Sequence, residues 1–357
     1  MTIEIIKILI PSILAFFIGI GITPTISDFL YRKKMWKKKA GKTTIDGKEA
    51  TVFNSIHKEK EVNTPRLGGS IIWLSAFTTA FIIWFLSHLT SIPLFDQLEF
   101  ISRNQTWIPF FTLLLGAGFG AIDDLLEING NGGHIAGGLS LRKRLLFVGF
   151  LSLIISLWFF VKLDVSSIFI PVVGYLNIGW LFVPLFVLTS MFIYSGGIID
   201  GIDGLAGGIF ANAFAAYGII ALVNNQIDLA AFCGLIVGGI LAFLWFNIPP
   251  ARFYMSETGS MALTLTLTVV AFMTDALGEG RGLIVLPLIA LPLVLTTLSV
   301  IIQLLSKKLR NGKKIFHSTP IHHHFEALGW PSYKVTMRYW IFSIVFASLG
   351  VMLAIIG

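Results

Sequence analysis

Residues 230–247 read Ala230-Ala231-Phe232-Cys233-Gly234-Leu235-Ile236-Val237-Gly238-Gly239-Ile240-Leu241-Ala242-Phe243-Leu244-Trp245-Phe246-Asn247, without one Asp, Glu, Lys or Arg. A hydrocarbon core takes about 20 apolar residues per helical crossing, so this stretch reads as a membrane span. Working outward, runs of the same kind lie at 5–30, 68–89, 107–122, 145–161, 179–196, 205–223, 259–275, 282–305 and 335–356, making ten spans in all. The runs at 107–122 and 259–275 are short, which leaves their edges the least defined. Membrane-crossing strands would alternate in polarity over about ten residues, and these runs are apolar throughout. Composition agrees: of 357 residues 55% are hydrophobic and only 13% charged, with a mean hydropathy of +0.83. A soluble domain needs no such excess to fill its core. The expected fold is an all-α integral membrane protein of about ten transmembrane helices, one polytopic domain over 1–357.

Basic residues set the orientation, because Lys and Arg are retained in cytoplasmic loops. If the N-terminus lies outside, the loops after the first, third, fifth, seventh and ninth spans face inward. They and their flanks then hold all of the 26 basic residues except Lys7, Arg103, Lys162 and Arg281. Both termini are therefore expected on the outer face, with the functional loops in the cytoplasm. A cleaved signal peptide is the other reading of the first run. That run is too long, lacks a small-residue cleavage site and is followed by a basic flank, so it is kept as a helix.

The net charge of +7 belongs to this topology and is no signal for nucleic acid. The basic stretch from Arg32 to Lys42 follows a span directly, where such residues meet anionic head groups at about 1 kcal/mol each. The single cysteine, Cys233, sits inside a span, so neither a disulfide nor a thiolate metal site is available. Residues 33–62 form the one sizeable hydrophilic insert, in which Gly41 and Asp46-Gly47 suggest a turn or small hairpin. A second short hairpin is expected at 162–178 on the outer face, where Pro171 and Gly174 interrupt a run too short to span.

Five polar clusters fall on the inner side. At the end of the third span, Asp123-Asp124-Leu125-Leu126-Glu127 lets either aspartate converge with Glu127 one turn on. Crowded carboxylates repel unless a cation or proton neutralises them, and acids at a membrane edge are usually functional. The bland alternative is a set of acids solvating a helix end. Between the fifth and sixth spans, Asp200-Gly201-Ile202-Asp203-Gly204-Leu205-Ala206-Gly207-Gly208 leads into a helix N-terminus whose free N–H groups favour phosphate. Between the seventh and eighth, Ser256-Glu257-Thr258-Gly259-Ser260 gathers oxygen-bearing side chains that suit Mg2+ or phosphate. Ordinary helix capping accounts for the same residues.

After the ninth span comes His317-Ser318-Thr319-Pro320-Ile321-His322-His323-His324-Phe325-Glu326-Ala327-Leu328-Gly329-Trp330. Successive helical side chains diverge, so three adjacent histidines cannot ligate one ion. Hydrogen bonding to phosphate oxygens suits them better than zinc. The fifth cluster, Asn63-Thr64-Pro65-Arg66-Leu67-Gly68-Gly69, offers Arg66 either as a bidentate phosphate clamp or as an orientation charge.

Together these residues resemble the polyprenyl-phosphate N-acetylhexosamine-1-phosphate transferases, most closely the phospho-N-acetylmuramoyl-pentapeptide transferase branch, over nearly the whole chain. The family's paired aspartates match Asp123 and Asp124. Its Gly-Leu-Ser and basic run match Gly138-Leu139-Ser140 through Arg144. Its Asp-Gly-Leu-Asp-Gly-Leu-Ala motif matches Asp200 to Ala206, with Ile202 for Leu. Phe246, Asn247, Pro250, Ala251 and Thr258 to Ser260 match further segments, and Pro320 to Glu326 with Gly329-Trp330 match the histidine loop that marks this branch. Departures are equally specific. Glu257 stands for an Asp in Met-Gly-Asp-Thr-Gly-Ser, and Tyr194 and Gly197 stand for asparagines. Thr64-Pro65-Arg66 replaces Thr-Pro-Thr, and Lys60 lies one place from the usual lysine.

The resemblance implies transfer of phospho-MurNAc-pentapeptide from UDP-MurNAc-pentapeptide to undecaprenyl phosphate, giving lipid I and UMP for peptidoglycan synthesis. It implies a multi-pass protein of the bacterial inner membrane, Mg2+ as cofactor and a possible homodimer. Glu257 and Asp124 would hold the metal, and Asp123 would orient or deprotonate the acceptor phosphate. Asp200 and Asp203 would hold nucleotide or shape the metal site. Asn247 and Tyr254 would meet the uridine, Arg66 a phosphate, and His322, His323 and His324 the donor diphosphate or sugar. Attack is either direct or through an aspartyl intermediate. The rivals are a UDP-GlcNAc:polyprenyl-phosphate transferase, favoured by Arg66, an intramembrane prenyltransferase and an inactive scaffold relative. A transporter would instead place charges near the midplane.

Overall fold

The computed structural model describes residues 2–38, 41, 54, 61–130, 138–170, 173–277 and 281–356. In chain order the elements are α1 (Thr2–Arg32), α2 (Ser70–Leu89), α3 (Pro93–Leu98), α4 (Trp107–Asn129), α5 (Leu141–Lys162), β1 (Ser167–Ile170), β2 (Gly174–Asn177), α6 (Phe182–Gly196), α7 (Leu205–Val223), α8 (Ile227–Asn247), α9 (Ser256–Ala276), α10 (Leu286–Ile289), α11 (Leu291–Leu309), α12 (Ile321–Ala327) and α13 (Ser332–Ile356). Among the described residues ten helical segments are long and apolar enough to cross a membrane: every helix but α3, α10 and α12, with α6 extended by the 3-10 turns on either side to Gly179–Ile199. The protein is an all-α, multi-pass membrane protein, and these segments match the ten apolar runs of the sequence.

The edges differ from the hydropathy reading in instructive ways. The third span continues past Ile122 to Asn129, and the eighth begins at Ser256 rather than 259. Hydropathy registers the solvent, whereas a helix ends where its backbone bonds end, and these polar turns find partners at the end of the bundle. The run 282–305 is two helices parted at Ala290. Pro292 has no N–H to offer the Leu288 carbonyl and stands in the first turn of the second helix, the position that proline favours.

At the centre stands α9, of whose most apolar stretch 94% is buried, against 17% for α1 and 22% for α13 at the periphery. It packs on α4, α6 and α7. Contact with α4 is made by small residues. A Cβ on Gly120 would lie 2.2 Å from the Glu257 carbonyl oxygen, and one on Gly116 would lie 2.9 Å from Ala262 Cα. Among lipid-embedded helices such close backbone approach is a main source of association. Here it also sets Asp123 and Asp124 beside the first turn of α9.

The expected outer hairpin is present, β1 and β2 pairing antiparallel with Ser167 opposite Asn177 and Ile170 opposite Gly174. Pro171 lies outside the described residues. Arg281 stacks over Phe169 at 5.3 Å, which places the hairpin near the C-terminal end of α9. Most of the 33–62 insert, with its expected turn at Asp46-Gly47 and with Lys60, also lies outside the described residues. Its described margins are tied down: Gly41 donates its N–H to Glu61 at 3.0 Å, and Lys37, only 2% exposed, pairs with Glu61 at 3.5 Å.

Candidate active site

A helix N-terminus leaves its first N–H groups without partners inside the helix. In α9 two other segments supply them. Asp124, from α4, accepts from Thr258 N–H at 2.9 Å, Thr258 Oγ1 at 2.6 Å and Glu257 N–H at 3.2 Å. Asp200, from the loop before α7, accepts from Ser256 N–H at 2.8 Å. Both carboxylates therefore cap α9 across the bundle, where the helix dipole favours negative charge. Ser256 and Thr258, candidate caps by sequence, do not cap their own helix.

Arg144 enters from the first turn of α5. Its Nη2 lies 3.0 Å from Asp123 Oδ2, its Nη1 pairs with Glu257 Oε1, and its Nε donates to the Leu139 carbonyl at 3.1 Å. Asp123 Oδ1 accepts from Leu139 N–H at 2.6 Å, while its Oδ2 has the ion pair but no well-angled hydrogen bond. The Tyr194 hydroxyl reaches the other Glu257 oxygen at 3.4 Å. One turn further along α4, Glu127 receives Arg66 at 2.8 Å and Lys37 at 2.9 Å, and Arg66 lies 3.6 Å from Asp124. Burial opposes the Arg66 charge, but Glu127 and then Asp124 outweigh it and raise its pKa. Arg66 therefore stays a cation at any physiological pH.

The loop 248–255 joins the remaining clusters. Tyr254 donates its N–H to the Pro65 carbonyl at 2.8 Å and accepts from Gly68 N–H at 2.9 Å. Burial pushes the Tyr254 hydroxyl up to about 12, so it remains protonated. Asn247 ties the loops together, donating to the Phe253 carbonyl at 2.8 Å and accepting from Gly204 N–H at 3.0 Å. Asp203 accepts from Ala251 N–H at 3.1 Å, and its carbonyl accepts from Thr336 at 3.0 Å.

The histidines separate into two groups. His322 and His323 are buried and both lean on the Asp200–Gly204 loop: a Cβ on Gly201 would lie 2.8 Å from each Nε2. His323 Nδ1 meets Glu326 at 2.7 Å, and Glu326 in turn accepts from Ser332 at 2.6 Å. That carboxylate favours the proton on Nδ1 and aims Nε2 at Gly201. His324 turns away, stacked on His317 at 5.4 Å and accepting its N–H at 3.2 Å. Burial and then the neighbouring His317 lower its pKa, which favours the neutral ring. Gln303 of α11 fixes the loop by binding Ile315 and Phe316.

All five clusters are thus linked by direct contacts at one end of the bundle, as one composite site. Arg144 and Lys37 carry more than the sequence suggested. Arg144 stood in a basic run and Lys37 in a stretch read as head-group anchoring, and nothing in spacing reveals which acid a flexible cation will meet. Tyr194, noted in sequence only as a departure, is a Glu257 partner.

Oxygen donors suit a hard cation such as Mg2+ in kind. As arranged, however, the residues do not fit one. Among the described residues no three His, Cys, Asp or Glu side chains converge closely enough to hold a metal ion. Arg144 lies between Asp123 and Glu257, and Arg66 between Asp124 and Glu127.

Comparison with known proteins adds two findings. The family profile described as Glycosyl transferase family 4 matches residues 106–275, from just before α4 to the end of α9. Curated relatives carry the name phospho-N-acetylmuramoyl-pentapeptide-transferase. The protein from Listeria innocua serovar 6a is 33% identical over 83% of this chain and 86% of its own length. That from Halalkalibacterium halodurans is 30% identical over 98% of both chains, and that from Geobacillus thermodenitrificans 30% over 96% and 97%.

Proposed function

The chain belongs to the phospho-N-acetylmuramoyl-pentapeptide-transferase group of glycosyl transferase family 4, and from that premise we propose that it transfers phospho-MurNAc-pentapeptide from its UDP donor to undecaprenyl phosphate. The products are lipid I and UMP. The observation that carries this reading is the direct linkage of all five polar clusters at one end of the bundle, including the histidine loop that lies outside the matched family segment. That end also gathers most of the basic residues, so the site is assigned to the cytoplasmic face of the inner membrane.

In the reaction an oxygen of the lipid phosphate attacks the sugar-bearing phosphorus of the donor. The bridge to the nucleotide phosphate breaks and its electron pair leaves with UMP. Both reactants are anions, so catalysis rests on positioning and on cationic groups around the phosphates. The residues in place for this are Arg144, Arg66 and the Nε2 atoms of His322 and His323. Asp123 is assigned to orient the acceptor, and Asp203, Asn247 and Tyr254 to shape the nucleotide side through the loops they hold. Magnesium is proposed as the cofactor.

The test is UMP release by the purified protein with undecaprenyl phosphate and either UDP-MurNAc-pentapeptide or UDP-GlcNAc. Release with the first donor and not the second is expected; the reverse assigns the chain to the GlcNAc-phosphate reaction, and no release with either removes the enzyme reading. Asp123→Asn and Glu257→Gln should each abolish release from folded, monodisperse protein, and full activity in either refutes that residue's role.

A further inference from the structure

The five carboxylates around the start of α9 are not equally available. Asp124 is committed to the backbone of Glu257 and Thr258, Asp200 to that of Ser256, and Glu127 to Arg66 and Lys37. What remains is Asp123 and Glu257, and the guanidinium of Arg144 lies between them. Asp123 is fully buried, and its Oδ2 meets this guanidinium as a charge, without a well-angled hydrogen bond. A spherical cation satisfies an oxygen from any direction, whereas a planar guanidinium does so only along its N–H bonds. Two positive charges cannot share the gap without strong repulsion.

We infer that Arg144 holds the place of the divalent cation: Asp123 and Glu257 become available to a metal only when Arg144 withdraws. This deepens the proposed reaction and rests on it in one respect, the identity of what draws Arg144 away. A diphosphate is the fitting partner, since guanidinium binds phosphate oxygens bidentately. Arg144 starts in the first turn of α5 with its side chain 20% exposed, so it has an open side to swing toward. Metal and donor then bind cooperatively, each favouring the withdrawn arrangement. The role is positional: Arg144 couples the two ligands, so that each raises the protein's affinity for the other.

Mn2+ binding followed by electron paramagnetic resonance, on purified protein without nucleotide, reads this apart from turnover. If the withdrawn arrangement is populated to about one part in ten or less, Arg144→Gln should tighten Mn2+ by about tenfold or more. A further Glu257→Gln change should erase the gain. Arg144→Met serves the same purpose should the Gln variant fail to fold. Equal or weaker Mn2+ binding in the folded neutral variant overturns the inference. Adding UDP-MurNAc-pentapeptide to the unaltered protein should tighten Mn2+ toward the variant's value. If the variant tightens but the donor has no effect, the place-holding by Arg144 stands and the proposed donor falls.

Discussion

At the scale of single residues, Ser256 and Asp124 show how the first turn of α9 is built. Ser256 has φ +58, the left-handed region that disfavours any residue with a Cβ. The related motif carries Gly at this place. Occupying that region costs a non-glycine residue about 1 kcal/mol, so Ser256→Gly should raise the unfolding free energy by up to about that amount. A lower melting temperature in detergent would contradict this. Asp124 accepts from three donors of Glu257 and Thr258, and Asp124→Asn turns one acceptor into a donor facing N–H groups. A loss of about 1–3 kcal/mol is expected even without substrate. An unchanged melting curve would show that the cap carries no weight. The acids were legible in the sequence as a group, but their division of labour was not. Asp123 and Asp124 are neighbours with the same chemistry, and only the 100° turn of a helix sends one to Arg144 and the other to the α9 backbone.

At the scale of elements, the contact of α4 with α9 decides whether the site exists. Gly120→Ala would drive a Cβ to 2.2 Å from the Glu257 carbonyl, whereas Gly118 has nothing within 4 Å of an added Cβ. Gly120→Ala should therefore cost about 1–3 kcal/mol and most of the activity, and Gly118→Ala should cost neither. Equal melting temperatures and rates for the two variants would refute the close approach. The spans themselves were plain in the sequence, because an apolar run the thickness of a bilayer has few other readings. Their polar ends were not, since the turn from Asp123 to Asn129 is helical for reasons of backbone bonding and of partners elsewhere in the chain. The break at Ala290 had its cause in view, Pro292, within a run that hydropathy treats as uniform. Arg144 and Tyr194 became site residues only when α5 packed on α6 and α6 on α9.

In the molecule as a whole, the polar clusters must share one side of the membrane for a single site to form. Cys233 is fully buried, so thiol labelling has a silent background. With intact cells and a membrane-impermeant maleimide, the Val173→Cys variant, in the hairpin, should label and the Asn311→Cys variant, after α11, should not. Labelling of the second alone would invert the topology. A phosphosugar, not a sugar, moves onto the lipid phosphate, and mass spectrometry of the lipid product distinguishes the two. After incubation with undecaprenyl phosphate and UDP-MurNAc-pentapeptide, the expected product is a lipid carrying two phosphates and the muramoyl pentapeptide, with UMP in solution. A lipid with a single phosphate accompanied by UDP, or no modified lipid at all, would refute phosphosugar transfer.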